Sequence, residues 1–230
     1  MAGDKLFQKR RARRAKAAQR EKKLRKESRR ILIVCEGETE KGYFTHYAKK
    51  ESDLLYHITS ECGTSPHCVA EHALYLSEAD GDFDIAFAVF DGDTADKGNY
   101  NKAIKSLSES SKVNAVPTTP CFEYWLLLHF TFSRRPYLGT SKAKSACTQI
   151  LDELKKFSGM ESYVKGEKLN FPAFEGKLDV AITHSKRAIT EAADGNQRNP
   201  SSLIHVVIEA IQAENFDKLE EFSTSAQALI

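Results

Sequence analysis

Two unbroken apolar runs, Ile31-Leu32-Ile33-Val34-Cys35 and Ile85-Ala86-Phe87-Ala88-Val89-Phe90, constrain the fold of this chain more than any other feature. A strand with one wet face alternates apolar and polar side chains. A run without alternation needs cover on both faces, which is the situation at the centre of a parallel sheet. Each run is followed directly by an acid, Glu36 after the first and Asp91 after the second.

The segments between and after the runs read as helices and further strands. Glu36-Gly37-Glu38-Thr39-Glu40 leads into Tyr43, Phe44 and Tyr47 at helical spacing. A short strand is predicted from Tyr56 to Glu61, then a helix over Val69–Glu78, with Asp80, Gly81, Asp82 and Asp84 forming the turn before the second run. Tyr100, Ala103, Ile104 and Leu107 make an i, i+3, i+4, i+7 stripe. Val113–Val116 is a fourth, weaker strand, and Cys121–Phe130 is apolar nearly all round, as a central core segment is. The order β-α-β-α-β-α-β-α predicts an α/β fold, a Rossmann-like parallel sheet with right-handed crossovers and flanking helices. After Ser133 only helices are expected, with stripes at Cys147/Ile150/Leu151/Leu154, Leu178/Ala181/Ile182/Ser185 and Leu203/Val206/Val207/Ala210. Asn199-Pro200 is read as cap and first residue of the last of these. The organisation expected is therefore an arm over residues 1–30, an α/β core over 31–132 and a helical region over 133–230 packed on that core.

Charge separates the arm from the rest. The 230-residue chain has a formal net charge of +2, but residues 1–30 hold 14 Lys or Arg against 3 acids, which leaves 20 basic and 29 acidic residues elsewhere. The arm has almost nothing to bury. It is either a solvated tail or a phosphate-binding segment whose affinity would fall with salt; the charge surplus favours the second reading, with Arg10, Arg11, Arg13, Arg14, Lys22, Lys23, Arg25, Lys26, Arg29 and Arg30 as its contacts. No apolar run reaches the length of a bilayer span, and the basic N-terminus lacks the apolar stretch of a secretory signal. Five cysteines in an odd set without CxxC spacing suit reduced thiols. A cytoplasmic protein without a membrane partner is expected.

Ligands of open parallel sheets sit beyond the carboxyl ends of the strands, near the point where strand order switches. If the two apolar strands are neighbours, Glu36, Asp91 and Asp93 meet in one crevice, and Glu40, one helical turn past Glu36, faces the same point. Carboxylates so close repel, and a hard cation such as Mg²⁺ or Mn²⁺ resolves the repulsion. Gly37 and Gly92 permit close backbone approach beside the acids. The competing account is that each acid merely caps a helix; for the set, metal binding is the reading taken.

Val34-Cys35-Glu36-Gly37-Glu38-Thr39-Glu40-Lys41, the Asp91-Gly92-Asp93 step, the Pro120-Cys121-Phe122-Glu123-Tyr124-Trp125 stretch and Asn199-Pro200-Ser201-Ser202 with His205 resemble RloB-like proteins. Those are bacterial proteins of defence and restriction-associated loci carrying a divergent TOPRIM domain. The resemblance, from about Arg30 to the C-terminus, implies a TOPRIM-like sheet and a Mg²⁺-dependent nuclease acting on RNA, conceivably tRNA, or on DNA. By similarity to OLD-type nucleases, Glu36, Asp91 and Asp93 take the catalytic positions, and Glu40 is a second metal-binding Glu. Glu123 is either a further metal ligand or an acid favoured by the dipole of its helix. The family also implies anti-phage defence, abortive infection included, and a separate ATPase partner; the arm is not a family feature.

Other signals carry less. Lys41, Lys97 and Lys144 are candidates for a stabilising cation, with solvated lysine as the competing account. His57, Cys62, His67 and Cys68 fit no standard zinc spacing. His129 and His205 read as buried histidines with a satisfied partner, and Phe122, Tyr124 and Trp125 as core. Asp91-Gly92-Asp93-Thr94-Ala95 approaches the DxDx(T/V) motif of HAD phosphatases, which makes a phosphohydrolase the alternative enzyme. A non-catalytic RNA-binding or scaffolding protein using the arm is the alternative of another class.

Overall fold

The computed structural model describes residues 29–51, 53–80, 82–92, 97–139 and 144–213, together with Arg13 and Lys16. The chain runs β1 (Arg29–Cys35), α1 (Glu38–Ala48), β2 (Leu54–Thr59), α2 (Pro66–Ala79), β3 (Ile85–Asp91), α3 (Lys97–Ser108), β4 (Val113–Thr119), α4 (Glu123–Leu128) and α5 (Ala146–Leu154). A 3₁₀ turn at Phe171–Phe174, α6 (Leu178–Asp194), β5 (Ser201–Ser202) and α7 (Ile204–Gln212) complete it. The five strands form one sheet in the order β2-β1-β3-β4-β5, the first four parallel and β5 antiparallel to β4. This is the expected α/β architecture with a helical C-terminal region.

The apolar runs are buried on both faces because their alternate residues enter different cores. Ile31, Ile33, Cys35, Phe87 and Val89 pack with Tyr43, Phe44 and Tyr47 of α1, with α4 and with α7. Leu32, Val34, Ala86, Ala88 and Phe90 pack with Val69, Ala70 and Ala73 of α2 and with Ala103 and Leu107 of α3. The wholly buried α4, with Trp125 at its centre, joins the first of these cores. So do Ile150, Tyr163, Phe174, Ala181 and Ile208 from beyond Ser133. Phe122, Tyr124 and Trp125 are core residues, as their sequence context predicts.

Three sequence readings change. The helical region also supplies a strand: Ser201 and Ser202 pair with Thr119 and Thr118 on the edge of β4. Asn199 and Pro200, joined by a cis bond, do not start a helix; α7 begins at Ile204, and the Asn199 side chain bonds the backbone of Tyr137 on both sides instead. Arg29 and Arg30 belong to β1 rather than to the arm. Arg29 is buried and donates to the Ala210 and Ile211 carbonyls and to Asp53, while Arg30 pairs with Asp82. The last carbonyls of a helix have no partner within it, and a guanidinium is a suitable donor for them. Arg13 is exposed; Arg10, Arg11, Arg14, Lys22, Lys23, Arg25 and Lys26 lie outside the described residues.

Candidate functional site

Parallel pairing of β1 with β3, register Cys35 to Val89, ends the two apolar strands side by side. From β1 the chain departs to β2 on one flank, and from β3 to β4 on the other, so this pair is the switch point of the sheet. Glu36 continues the ladder through its own N–H to the Val89 carbonyl at 3.1 Å, and its Oε2 accepts the Asp91 N–H at 3.0 Å. The two acids that end the apolar runs are thus brought into direct contact.

Gly37 precedes α1, and a Cβ there would stand 2.7 Å from Oε2 of Glu40. The missing side chain lets the Glu40 carboxyl fold back over the start of its own helix, where it is buried. Gly92 follows β3 and donates to the Thr118 carbonyl at 2.7 Å; a Cβ at Gly92 would overlap the Thr119 hydroxyl. That contact draws the end of β3 against β4 and the Thr119-Pro120-Cys121-Phe122 segment. The Phe122 N–H then donates to Oδ1 of Asp91 at 2.8 Å, and the next residue, Glu123, is fully buried beside it.

The sequence candidates for a stabilising cation lie elsewhere. Lys41 pairs with Glu38, Lys144 with Asp152, and Lys97 is exposed at the start of α3. The cation that reaches the acids is Lys165, on the loop between α5 and the 3₁₀ turn. Its Nζ is 3.2 Å from Oδ2 of Asp91 and 3.5 Å from Oε2 of Glu123. The loop is pinned on both sides of Lys165: the Tyr163 hydroxyl donates to Oε1 of Glu123 at 3.3 Å, and the Gly166 N–H to the Thr39 hydroxyl at 3.2 Å. Lys165 and Tyr163 sit in a polar stretch without periodicity, so no pattern in the sequence marks them.

The electrostatics are those of crowded acids. Burial, and then the charges of Asp91 and Glu123, push the Glu40 carboxyl up to about 8. Burial pushes Asp91 up to about 6, with Lys165 pulling it back and Glu123 adding to the rise. Lys165 is itself raised: burial opposes its charge, but Asp91 and Glu123 outweigh that. Oε2 of Glu123 is buried without a hydrogen bond, the Lys165 ammonium standing 3.5 Å away. As they stand, no three His, Cys, Asp or Glu side chains among the described residues converge closely enough to enclose an ion. Glu36, Glu40, Asp91 and Glu123 are nevertheless all carboxylates, the donor type that Mg²⁺ and Mn²⁺ prefer, and the orphaned Oε2 is a buried acceptor in want of a partner. Asp93 lies outside the described residues.

Residues 31–211 match the family of RloB-like proteins. The chain belongs to that family. Searches of curated proteins and of solved structures return no match. The matched span in this RloB-like protein begins inside β1 and ends in α7, so it takes in the sheet, the acids and the Lys165 loop alike.

Buried polar groups elsewhere are structural. His129 Nδ1 faces the Trp125 carbonyl at 3.1 Å and so carries the proton, leaving Nε2 to accept from the Tyr43 hydroxyl at 3.0 Å. Ser185 donates its one hydroxyl proton to the Ser202 carbonyl at 2.7 Å and accepts from Nδ1 of His205 at 2.8 Å. Burial pushes His129 down to about 4 and His205 down to about 3, in keeping with two neutral rings. Burial likewise pushes the Cys35 thiol well up, away from a thiolate nucleophile. His57 packs edge-on against Phe83, and His67 pairs with Glu71. Among the described residues no helix is long and apolar enough to cross a membrane.

Proposed function

We propose that this RloB-like protein is a Mg²⁺- or Mn²⁺-dependent nuclease of bacterial anti-phage defence, hydrolysing phosphodiester bonds in RNA, tRNA being one substrate to try, or in DNA. The observation that carries the reading is the buried, hydrogen-bond-free Oε2 of Glu123 facing the acids at the β1/β3 switch point. Glu36, Glu40, Asp91 and Glu123 would hold the metal, joined by Asp93 two residues beyond Asp91, in what the family resemblance describes as a TOPRIM-like arrangement. The metal would polarise a phosphoryl oxygen and lower the pKa of a bound water.

The chain's own groups have separate tasks. The Phe122 N–H fixes the plane of the Asp91 carboxylate, and the Asp91 N–H fixes that of Glu36. Tyr163 holds Glu123 through Oε1. The Lys165 ammonium offsets part of the acids' charge, without which an anionic phosphodiester would be repelled. The arm up to residue 28 would add sequence-independent phosphate contacts. A separate ATPase would serve as the trigger.

The test is cleavage of labelled tRNA, single-stranded DNA and duplex DNA with Mg²⁺ or Mn²⁺, comparing the full chain with Asp91→Asn. Cleavage lost in the variant and in chelator supports the metal nuclease. Cleavage that survives the substitution places the activity elsewhere. Binding of nucleic acid without cleavage, abolished by deleting residues 1–28, favours the non-catalytic reading. The phosphohydrolase alternative predicts an aspartyl-phosphate on Asp91 that a phosphate analogue traps, with Glu36 dispensable.

A further inference from the structure

Lys165 stands where a cation between Asp91 and Glu123 belongs, and three features make its tenure exchangeable. Its contacts, 3.2 Å to Asp91 and 3.5 Å to Glu123, are long for charge-assisted hydrogen bonds, which are typically about 2.7–2.9 Å. The Glu123 oxygen it faces gains no hydrogen bond from it, although Glu123 is fully buried. Its side chain is 46% exposed, so a path to water is open, while the backbone on either side is pinned through Tyr163 and Gly166. The ammonium can therefore leave without the loop moving.

We propose that Asp91 and Glu123 form a cation site that Lys165 fills in the metal-free protein, and that a divalent ion enters by displacing the Lys165 ammonium into solvent. The inference rests on the metal-binding reading above and adds to it a built-in competitor. Charge favours the exchange: one ammonium leaves two buried carboxylates with a net charge of −1, whereas a divalent ion balances them. Coordination favours it too, because a hard ion binds several oxygens at once, including the Oε2 that the lysine leaves unsatisfied. A lysine suits the role better than an arginine, being a point charge on a flexible stem rather than a planar fork locked to a carboxylate.

Calorimetric titration of the full chain with Mn²⁺ tests this, using wild type, Lys165→Met and Glu123→Gln, together with acylation of the Lys165 amine read by mass spectrometry. Met keeps the unbranched stem of the lysine without its ammonium. Removing the competing charge is expected to tighten Mn²⁺ binding by about tenfold or more. Glu123→Gln is expected to weaken it, and acylation of Lys165 in wild type to rise as Mn²⁺ saturates. Equal or weaker Mn²⁺ binding in Lys165→Met, or an acylation rate that does not change with Mn²⁺, overturns the displacement while leaving the metal site standing. The acylation measurement needs no variant, so a poorly folding substitution does not blunt the test. No Mn²⁺ binding by any of the three proteins overturns the metal-binding reading and the displacement with it.

Discussion

Replacing Arg29 by Met separates two roles that the sequence alone merges. Arg29 lies near the end of a run of basic residues, yet it is only 8% exposed and its side chain reaches 181 and 182 residues along the chain to the carbonyls of Ala210 and Ile211. Met retains most of the buried stem, so the loss is confined to the guanidinium. The two carbonyl bonds are long, 3.5 and 3.3 Å, and at roughly 1 kcal/mol each, with two buried carbonyls left poorly satisfied, the substitution should cost about 2–4 kcal/mol. The bond to Asp53 is left out of that figure because Asp53 lies in water. For a chain of this size, urea denaturation followed by far-ultraviolet circular dichroism should therefore show a clearly lowered midpoint at unchanged slope. Binding to a labelled RNA below the unfolding transition should not change. Unchanged stability together with weakened RNA binding would refute the reasoning and return Arg29 to the arm.

Three further outcomes follow from the geometry. Gly92→Ala places a Cβ on the Thr119 hydroxyl and should destabilise by about 1–3 kcal/mol, with part of the loss recovered in the Gly92→Ala/Thr119→Ala double variant; chemical denaturation of the four proteins of that cycle checks it. His205 is neutral in the folded protein down to about 3 but takes a proton near its ordinary 6.5 when unfolded, so its contribution is present above pH 6.5 and is lost as pH falls toward 3. His205→Gln should flatten the acid side of a stability–pH curve without abolishing its slope, because His129, at about 4, loses stability over much of the same window. Glu40 has the opposite sign: folded, it holds its proton to about 8, while the unfolded chain releases it near 4.5, so its contribution is present below pH 4.5 and is lost as pH rises toward 8, with Asp91, at about 6, adding to the loss and the two histidines offsetting it below 6.5. In chelator, Glu40→Gln should therefore gain stability relative to wild type as pH rises from 4.5 to 8, and a stability–pH curve parallel to wild type would show that the Glu40 carboxyl is not buried as described.

Much of the fold is legible because burial writes itself into the apolar pattern. Ile31–Cys35 and Ile85–Phe90 could only be strands covered on both faces, and the acids that end them were conspicuous for that reason. Sequence fails where a long-range contact decides. Arg29 looks like its basic neighbours because its carbonyl partners are in α7. Asn199-Pro200 has the composition of a helix start, but the Asn side chain is taken by Tyr137, more than sixty residues earlier. Glu123 lies in the first turn of α4, where the dipole favours an acid, but its carboxylate faces Tyr163 and Lys165, partners some forty residues on that its local context does not show. Lys165 had no local signal whatever, since a polar loop residue becomes informative only when the loop is laid across the sheet edge.

That last placement explains why the helical region is more than cover for the sheet. The acids at the ends of β1 and β3 are held by backbone donors within the first 122 residues, through Glu36 with Asp91 and Asp91 with Phe122. Their charge is answered from the other half of the chain, by Lys165, and Glu123 is steadied from there by Tyr163. The same half closes the sheet with β5 and joins α1 in one core. Without the loop, Glu123 would be a fully buried acid with neither of the partners that the loop supplies, an arrangement that costs several kcal/mol unless the group neutralises or finds an ion. Acids gathered at this sheet edge therefore need protons or a cation, and the fold supplies a cation of its own in Lys165, on a side chain with a path to water.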